Sequence, residues 1–206
     1  QPVVAVARAA GFSNQYGSLE HVSYGTMMGK DGRHFKTRSD DTVKLAELLE
    51  EAKQRAYDLV TEKNPTLPDS QRREIAERVG IGAVKYADLS KNRTSDYIFD
   101  WSTMLSFEGN TAPYLLYAYA RIKSILKKAP EGNYDAIQNL SEPEERALCL
   151  KMLQLGEIIE AVDRDCMPNQ LCNYLYELSG LFMKFYENCP ILKAESSQAE
   201  SRLALC

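Results

Sequence analysis

Tyr114, Tyr117, Arg121, Ser124 and Lys128 follow one another at intervals of three, four, three and four residues. On a helix that spacing sets all five along one edge. Ring faces beside a guanidinium and an ammonium form a surface on which unpaired bases stack while phosphates are neutralised. The same pattern fits a plain helix–helix contact, with the rings packed and the cations on a solvated rim. Spacing alone favours that second reading. The helix itself has a legible start. Gly109 and Asn110 interrupt what precedes, Thr111 or Asn110 offers a capping oxygen, and Pro113 falls in the first turn, where its missing N–H costs nothing. Leu115, Ala118, Ile122, Ile125, Leu126 and Ala129 then give one apolar stripe beside the aromatic one.

A second stretch with chemical potential is Gly29-Lys30-Asp31-Gly32-Arg33-His34-Phe35-Lys36-Thr37-Arg38. Two glycines permit a left-handed turn, and Lys30, Arg33, Lys36 and Arg38 crowd positive charge into it. A mobile lysine suits adenylate chemistry, because charge grows on pyrophosphate as the α-phosphate is attacked. A cation arriving at that moment stabilises the transition state more than the ground state. Taken alone, Gly-Lys-Asp-Gly is more often an ordinary surface turn. His21 and His34 are the only histidines, which is too few for a His-x-x-x-His metal site. No Walker loop, no Gly-x-Ser-x-Gly elbow and no Cys-x-x-Cys pair occurs. The five cysteines, an odd and scattered set, suggest free thiols in a reducing compartment and hence the cytoplasm. No apolar run approaches a membrane span, and no metal is expected.

Helical pattern accounts for most of the chain. Residues 2–10 suit a helix ended by Gly11, and Val22, Tyr24 and Thr26 alternate like a short strand. Ser39, Asp40 or Asp41 caps an amphipathic helix running to about Glu62, and Asn64 to Pro68 closes it. A shorter helix through Val79 follows. Gly80 and Gly82 would let two backbones, or a nucleotide backbone, come close, and packing is the safer reading. Lys91 to Asp96 is a polar link before Tyr97-Ile98-Phe99-Asp100-Trp101, where the only tryptophan is expected to be buried. After a loop at 130–140, Ser141 with Glu144 makes a capping box for one helix reaching about Arg164. Another runs from Pro168 to about Asn188, and a last periodic stretch begins at Ser196. The opening without a cap and the close in mid-helix suggest a section of a longer protein.

Charge is uneven. Residues 71–128 carry ten basic and six acidic groups, whereas 129–206 carry six and thirteen. Any polyanion contact must therefore be selective and shape-guided.

Phe-Glu-Gly-Asn-Thr-Ala-Pro-Tyr at 107–114, with Tyr117-Ala-x-Ala-Arg-Ile-x-Ser-Ile after it, resembles the start of the anticodon-binding helical domain of arginyl-tRNA synthetases. Val79 to Arg93 and Asp96 to Trp101 are similar to the preceding segment of that family. The resemblance implies a mainly α protein: a helical bundle preceded by a small α/β remnant of a Rossmann catalytic domain. Residues 1–38 would be the catalytic edge with its lysine loop, 39–103 a helical region contacting the tRNA stem, and 104–206 the anticodon-binding domain. The loop would line up with the Lys-Met-Ser-Lys-Ser motif of class I synthetases, with Gly29, Lys30, Gly32 and Lys36 at the ATP. Asp31 stands where that motif's second lysine is expected, so Lys30 or Lys36 must supply the charge. Implied tRNA contacts are Tyr117, Arg121, Tyr114 and Asn110 at the anticodon loop, and Lys85, Lys91 and Arg93 along the inner stem.

The whole enzyme would be a monomer joining arginine to tRNA-Arg through arginyl-adenylate, using ATP and magnesium. No His-x-Gly-His motif occurs in these 206 residues. The implied expectation is a tRNA-binding portion that holds no cofactor tightly and does not activate arginine by itself. The rival reading is a non-catalytic helical module whose tyrosine face binds a protein.

Overall fold

The computed structural model describes residues 2–12, 19–29, 31–33, 45–132, 134 and 136–206. The caps expected at Ser39, Asp40 and Asp41, like Lys30 and Lys36, lie outside the described residues.

Apolar residues at helical spacing build α1 (Pro2–Ala9), α2 (Leu45–Lys63), α3 (Asp69–Leu89) and the short α4 (Trp101–Met104). They continue in α5 (Ala112–Lys128), α6 (Pro143–Leu153), α7 (Leu155–Asp165), α8 (Asn169–Asn188) and α9 (Ser196–Ala204). Two short strands, β1 (Met27–Met28) and β2 (Tyr97–Ile98), pair in parallel with Met27 opposite Tyr97. The ladder thus begins later than the Val22–Thr26 alternation suggests. Tyr24 is exposed, and the Gly25 amide donates to the Arg93 carbonyl instead of to a neighbouring strand.

The α2–α3 pair departs from the sequence expectation. α3 does not stop at Val79 but runs on through both glycines to Leu89. A Cβ at Gly80 would lie 2.6 Å from the Ala52 carbonyl oxygen of α2, so hydrogen is the only side chain that fits. The close approach of α2 and α3, with Ala52, Ala56, Ala76 and Ala83 buried, offsets the low helix propensity of glycine. Gly82 is different: its Cβ would meet only the Ala112 methyl, at 4.0 Å. Trp101 is half-buried, edge-on to Phe99 at 4.8 Å with Arg55 over its ring at 5.3 Å.

The bundle is arranged around α8. Phe182, Phe185 and Cys189 pack with Ala118 and Ile125 of α5, Leu148 of α6, and Leu203 and Leu205 at the chain's last helix. Each large apolar side chain fully buried there contributes about 1.5–3 kcal/mol. Burial alone would push the Glu145 carboxyl up, but the Glu142 amide and the Arg202 guanidinium outweigh it and hold the group below its ordinary value. Arg202 donates to Glu145 at 2.6 Å and to the Pro190 carbonyl at 2.7 Å, which fastens α9 to α6 and α8.

The helix expected from Pro143 to Arg164 is two helices. At Gln154 the backbone tightens, its amide donating to the Lys151 carbonyl three residues back, with poorly helix-forming Gly156 close by. The cap is shifted too: Glu145, not Glu144, reaches back to the Glu142 amide at 3.0 Å. α7 buries no residue completely, and Met152, Leu155 and Ile159, which helical spacing sets on one face with Leu148, are exposed. The helix ends in Cys166 at φ 51°, ψ 42°, a left-handed position normally given to glycine.

These features fix the outcome of three substitutions in urea denaturation of the chain. Gly80→Ala is expected to cost about 1–3 kcal/mol by forcing α2 and α3 apart. Gly82→Ala should be neutral or stabilise by up to about 1 kcal/mol through helix propensity. Cys166→Gly should stabilise by roughly 0.5–1 kcal/mol by removing left-handed strain. A Gly80→Ala protein as stable as the parent would refute the close-packing account.

Candidate nucleic-acid interface

Thr111 caps α5, accepting from the Tyr114 amide at 3.3 Å while its hydroxyl donates to the Ser106 carbonyl at 2.6 Å. That cap and Pro113 fix the rotation of the helix, and Ala118 and Ile125 turn its core face toward α8. Tyr117 and Arg121, one turn apart, come to the rim of that contact. Tyr117 is 42% exposed and Arg121 is half-buried.

Arg121 lies between two rings. Its guanidinium carbon is 5.2 Å from the centre of Tyr117 and 5.0 Å from that of Tyr186 on α8. One terminal nitrogen donates to the Tyr117 hydroxyl, and the other reaches the Tyr186 hydroxyl at 3.4 Å. The Tyr117 hydroxyl raises the Arg121 pKa further, so the guanidinium is charged at any working pH. Tyr186 is itself stacked on Phe182, 6.4 Å centre to centre. The result is a layered edge running from the core outward: Phe182, Tyr186, Arg121, Tyr117. A planar, electron-poor base could extend such a stack as its next layer.

Tyr186 was not among the sequence candidates. Its signal was weak but present, since it sits beside the inward Phe182 and Phe185 with a polar tip that such a position would leave at the rim. Tyr119 and Lys123 were missed as well. They form a second ring–cation pair at 6.0 Å on the opposite flank of α5, with Tyr119 58% exposed.

Other candidates are placed differently. Tyr114 is half-buried against Tyr176, ring centres 5.5 Å apart, and burial pushes its phenol pKa up. Asn110 is drawn into the fold: its carbonyl oxygen is 2.5 Å from the Tyr86 hydroxyl and its amide donates to Asn173 at 3.2 Å. Both are thus half-buried and engaged by neighbouring side chains. Arg93 is also committed. Its Nε donates to the Cys166 carbonyl at 2.9 Å and a terminal nitrogen donates to the Ser23 carbonyl. Lys85 and Lys91 are exposed, and Lys91 lines a cavity of about 240 Å³ with Tyr86, Tyr97, Phe99 and Asn110.

The lysine loop is described only from Gly29 to Arg33, without Lys30. Gly32 adopts φ 69°, as its sequence position requires. The Gly29 amide donates to the Arg33 carbonyl and the Gly32 amide to the Gly29 carbonyl, while Asp31 accepts from the Arg33 amide. Both glycine amides are thus used within the turn.

Residues 1–101 match the family described as tRNA synthetases class I (R), catalytic domain, and residues 115–206 match the DALR anticodon binding domain. The fold and the layered edge therefore sit within a class I aminoacyl-tRNA synthetase framework. Among curated relatives, the arginine–tRNA ligase of Colwellia psychrerythraea is 59% identical over 99% of this chain and 35% of its own length. That of Laribacter hongkongensis is 56% identical, over 100% of this chain and 36% of its own. The solved arginyl-tRNA synthetase of Thermus thermophilus superposes with a TM-score of 0.79 at 35% identity, covering 90% of this chain and 31% of that one. The chain belongs to the arginyl-tRNA synthetase family, and it spans about a third of the length of the curated relatives it matches.

The geometry separates supporting residues from exposed ones in a thermal-melting experiment. Asn110→Ala and Tyr86→Phe should each destabilise the chain by about 1–3 kcal/mol, because a half-buried polar group loses its partner. Tyr117→Ala should cost no more than about 1 kcal/mol, the worth of one exposed cation–π contact. Equal losses for Tyr117→Ala and Asn110→Ala would contradict that division.

Proposed function

We infer that this chain is the tRNA-binding portion of an arginine–tRNA ligase, with the Arg121 sandwich at its anticodon-loop contact. The observation that carries the reading is the exposed Tyr117 ring held over a guanidinium that Tyr186 supports from α8. Tyr117 stacks on an unpaired base, and Arg121 keeps the ring in place while adding positive charge near the loop's phosphates. Lys85 and Lys91, exposed on and just beyond the far half of α3, neutralise phosphates along the inner stem. The division into a catalytic edge at 1–38, a stem-contacting region at 39–103 and an anticodon-binding domain at 104–206 belongs to the same reading.

In the whole enzyme, arginine attacks the α-phosphate of ATP to give arginyl-adenylate and pyrophosphate. A terminal ribose hydroxyl of tRNA-Arg then takes the arginyl group and releases AMP. Magnesium enters with the ATP, and Lys30 or Lys36 is the lysine that meets the leaving pyrophosphate. The enzyme acts in the cytoplasm as a monomer. Among the described residues no helix is long and apolar enough to cross a membrane.

Binding of tRNA-Arg to the 206-residue chain, followed by fluorescence anisotropy, tests the reading. Affinity should fall by about tenfold or more between low and physiological salt, as expected for a few phosphate contacts. Tyr117→Ala should weaken it by roughly tenfold, in line with the loss of one base–aromatic stack. The chain should show no arginine-dependent ATP–pyrophosphate exchange, since it has no His-x-Gly-His motif. A chain that binds no tRNA-Arg even at low salt would instead favour the reading of the tyrosine face as a protein-binding one.

A further inference from the structure

We propose that Arg93 is a positioning residue that clamps the strand entering the lysine loop to the α7–α8 corner of the anticodon-binding bundle. Three regions distant in sequence meet at this one side chain. Its guanidinium donates to the carbonyl of Ser23, four residues before β1, and to the carbonyl of Cys166, the residue ending α7. The backbone around it is joined to the same strand. The Gly25 amide donates to the Arg93 carbonyl at 2.7 Å, and the Thr26 amide donates to the Asp96 carboxylate at 2.7 Å. The fit is close, because a Cβ at Gly25 would lie 2.1 Å from the Ser95 carbonyl oxygen.

The receiving end is equally specific. The Cys166 carbonyl belongs to a residue at φ 51°, so its direction is set by a left-handed turn and not by a continuing helix. Arg93 also lines a cavity of about 250 Å³ with Tyr24, Lys91, Tyr97 and Pro168, among others. The two hydrogen-bond arms of Arg93 join the segment before β1 to the bundle. Arginine suits the task because its planar fork serves two acceptors at once, which the single ammonium of lysine does less well.

The consequence concerns ligand length. A tRNA that touches both the anticodon edge and the catalytic side needs the two held at a fixed separation, whereas an isolated anticodon stem–loop does not. This part rests on the tRNA-binding reading above. Arg93 therefore contributes orientation and not phosphate neutralisation, although the sequence alone suggested a stem contact.

The experiment compares the 206-residue chain with its Arg93→Ala and Arg93→Lys variants. Hydrogen exchange at the Gly25 and Thr26 amides should speed up by about tenfold or more in both variants, reflecting lost charge-assisted bonds. Exchange in α8 should be unchanged. Affinity for whole tRNA-Arg should fall severalfold in both variants, with the same salt slope as the parent, and affinity for the anticodon stem–loop should hold. Full rescue by Arg93→Lys, with a shallower salt slope in Arg93→Ala, would overturn the clamp in favour of a phosphate contact. Unchanged exchange at Gly25 and Thr26 would also overturn it, with or without RNA. If the parent chain binds no tRNA, the tRNA-binding reading fails, and the exchange measurement still decides whether the clamp exists.

Discussion

A single phenol on α3 ties the helical hairpin to the bundle. The Tyr86 hydroxyl lies 2.5 Å from the Asn110 carbonyl oxygen, at the entrance to α5, and 2.9 Å from the Cys172 carbonyl in α8. Its one proton serves one acceptor at a time, yet both are within reach, so the contact survives small shifts of either helix. Burial pushes the phenol pKa well up, so the group stays neutral and remains a donor. Asn110 passes the connection on to Asn173, so three elements meet through three side chains. The Thr111 cap that starts α5 lies next in sequence, and from there the helix packs on α8 through Ala118 and Ile125.

From that start α5 does two jobs with its two faces. Ala118 and Ile125 fill the core beside Phe182 and Phe185, and the rim carries Tyr117 and Arg121. Because Tyr186 comes from the helix that α5 packs on, correct burial of one face automatically assembles the sandwich on the rim. Stability and binding geometry are thereby coupled. A guanidinium already held between rings gives up little further side-chain freedom when a ligand arrives, which is the general advantage of preorganisation.

Much of this was legible in the sequence, and the failures have physical causes. The start of α5 could be read residue by residue, because capping oxygens and a first-turn proline act locally. The close of α2 and the extent of α8 followed from periodicity and flanking prolines, whereas spacing alone favoured packed rings and only the family resemblance turned Tyr117 outward. Gly80 misled the reading of α3: glycine lowers helix propensity locally, and the compensating contact with Ala52 is made from another helix. The break at Gln154 left no proline or glycine at the turn itself, only Gly156 two residues beyond. Asn110, Tyr114 and Arg93 have the right types for RNA contact, but each spends its polar groups on partners 24 to 73 residues away or packs against a distant ring. Such pairings are invisible to spacing. Tyr186 is the reverse case, a side chain that tertiary packing brings over Arg121.

Net charge explains why the edge is built from rings as well as cations. Residues 129–206, which supply α6 to α9, carry thirteen acidic groups against six basic ones. A loop of RNA approaching this bundle meets repulsion over most of its surface and attraction only near α5 and the end of α3. Long-range electrostatics can bring the polyanion to that side but cannot hold it against salt. Stacking is short-range and nearly indifferent to ionic strength, so an exposed Tyr117 backed by Arg121 and Tyr186 supplies what the charge distribution withholds. On the proposed tRNA-binding reading, the acidic bulk would disfavour poses that bring RNA phosphates against α6 to α9.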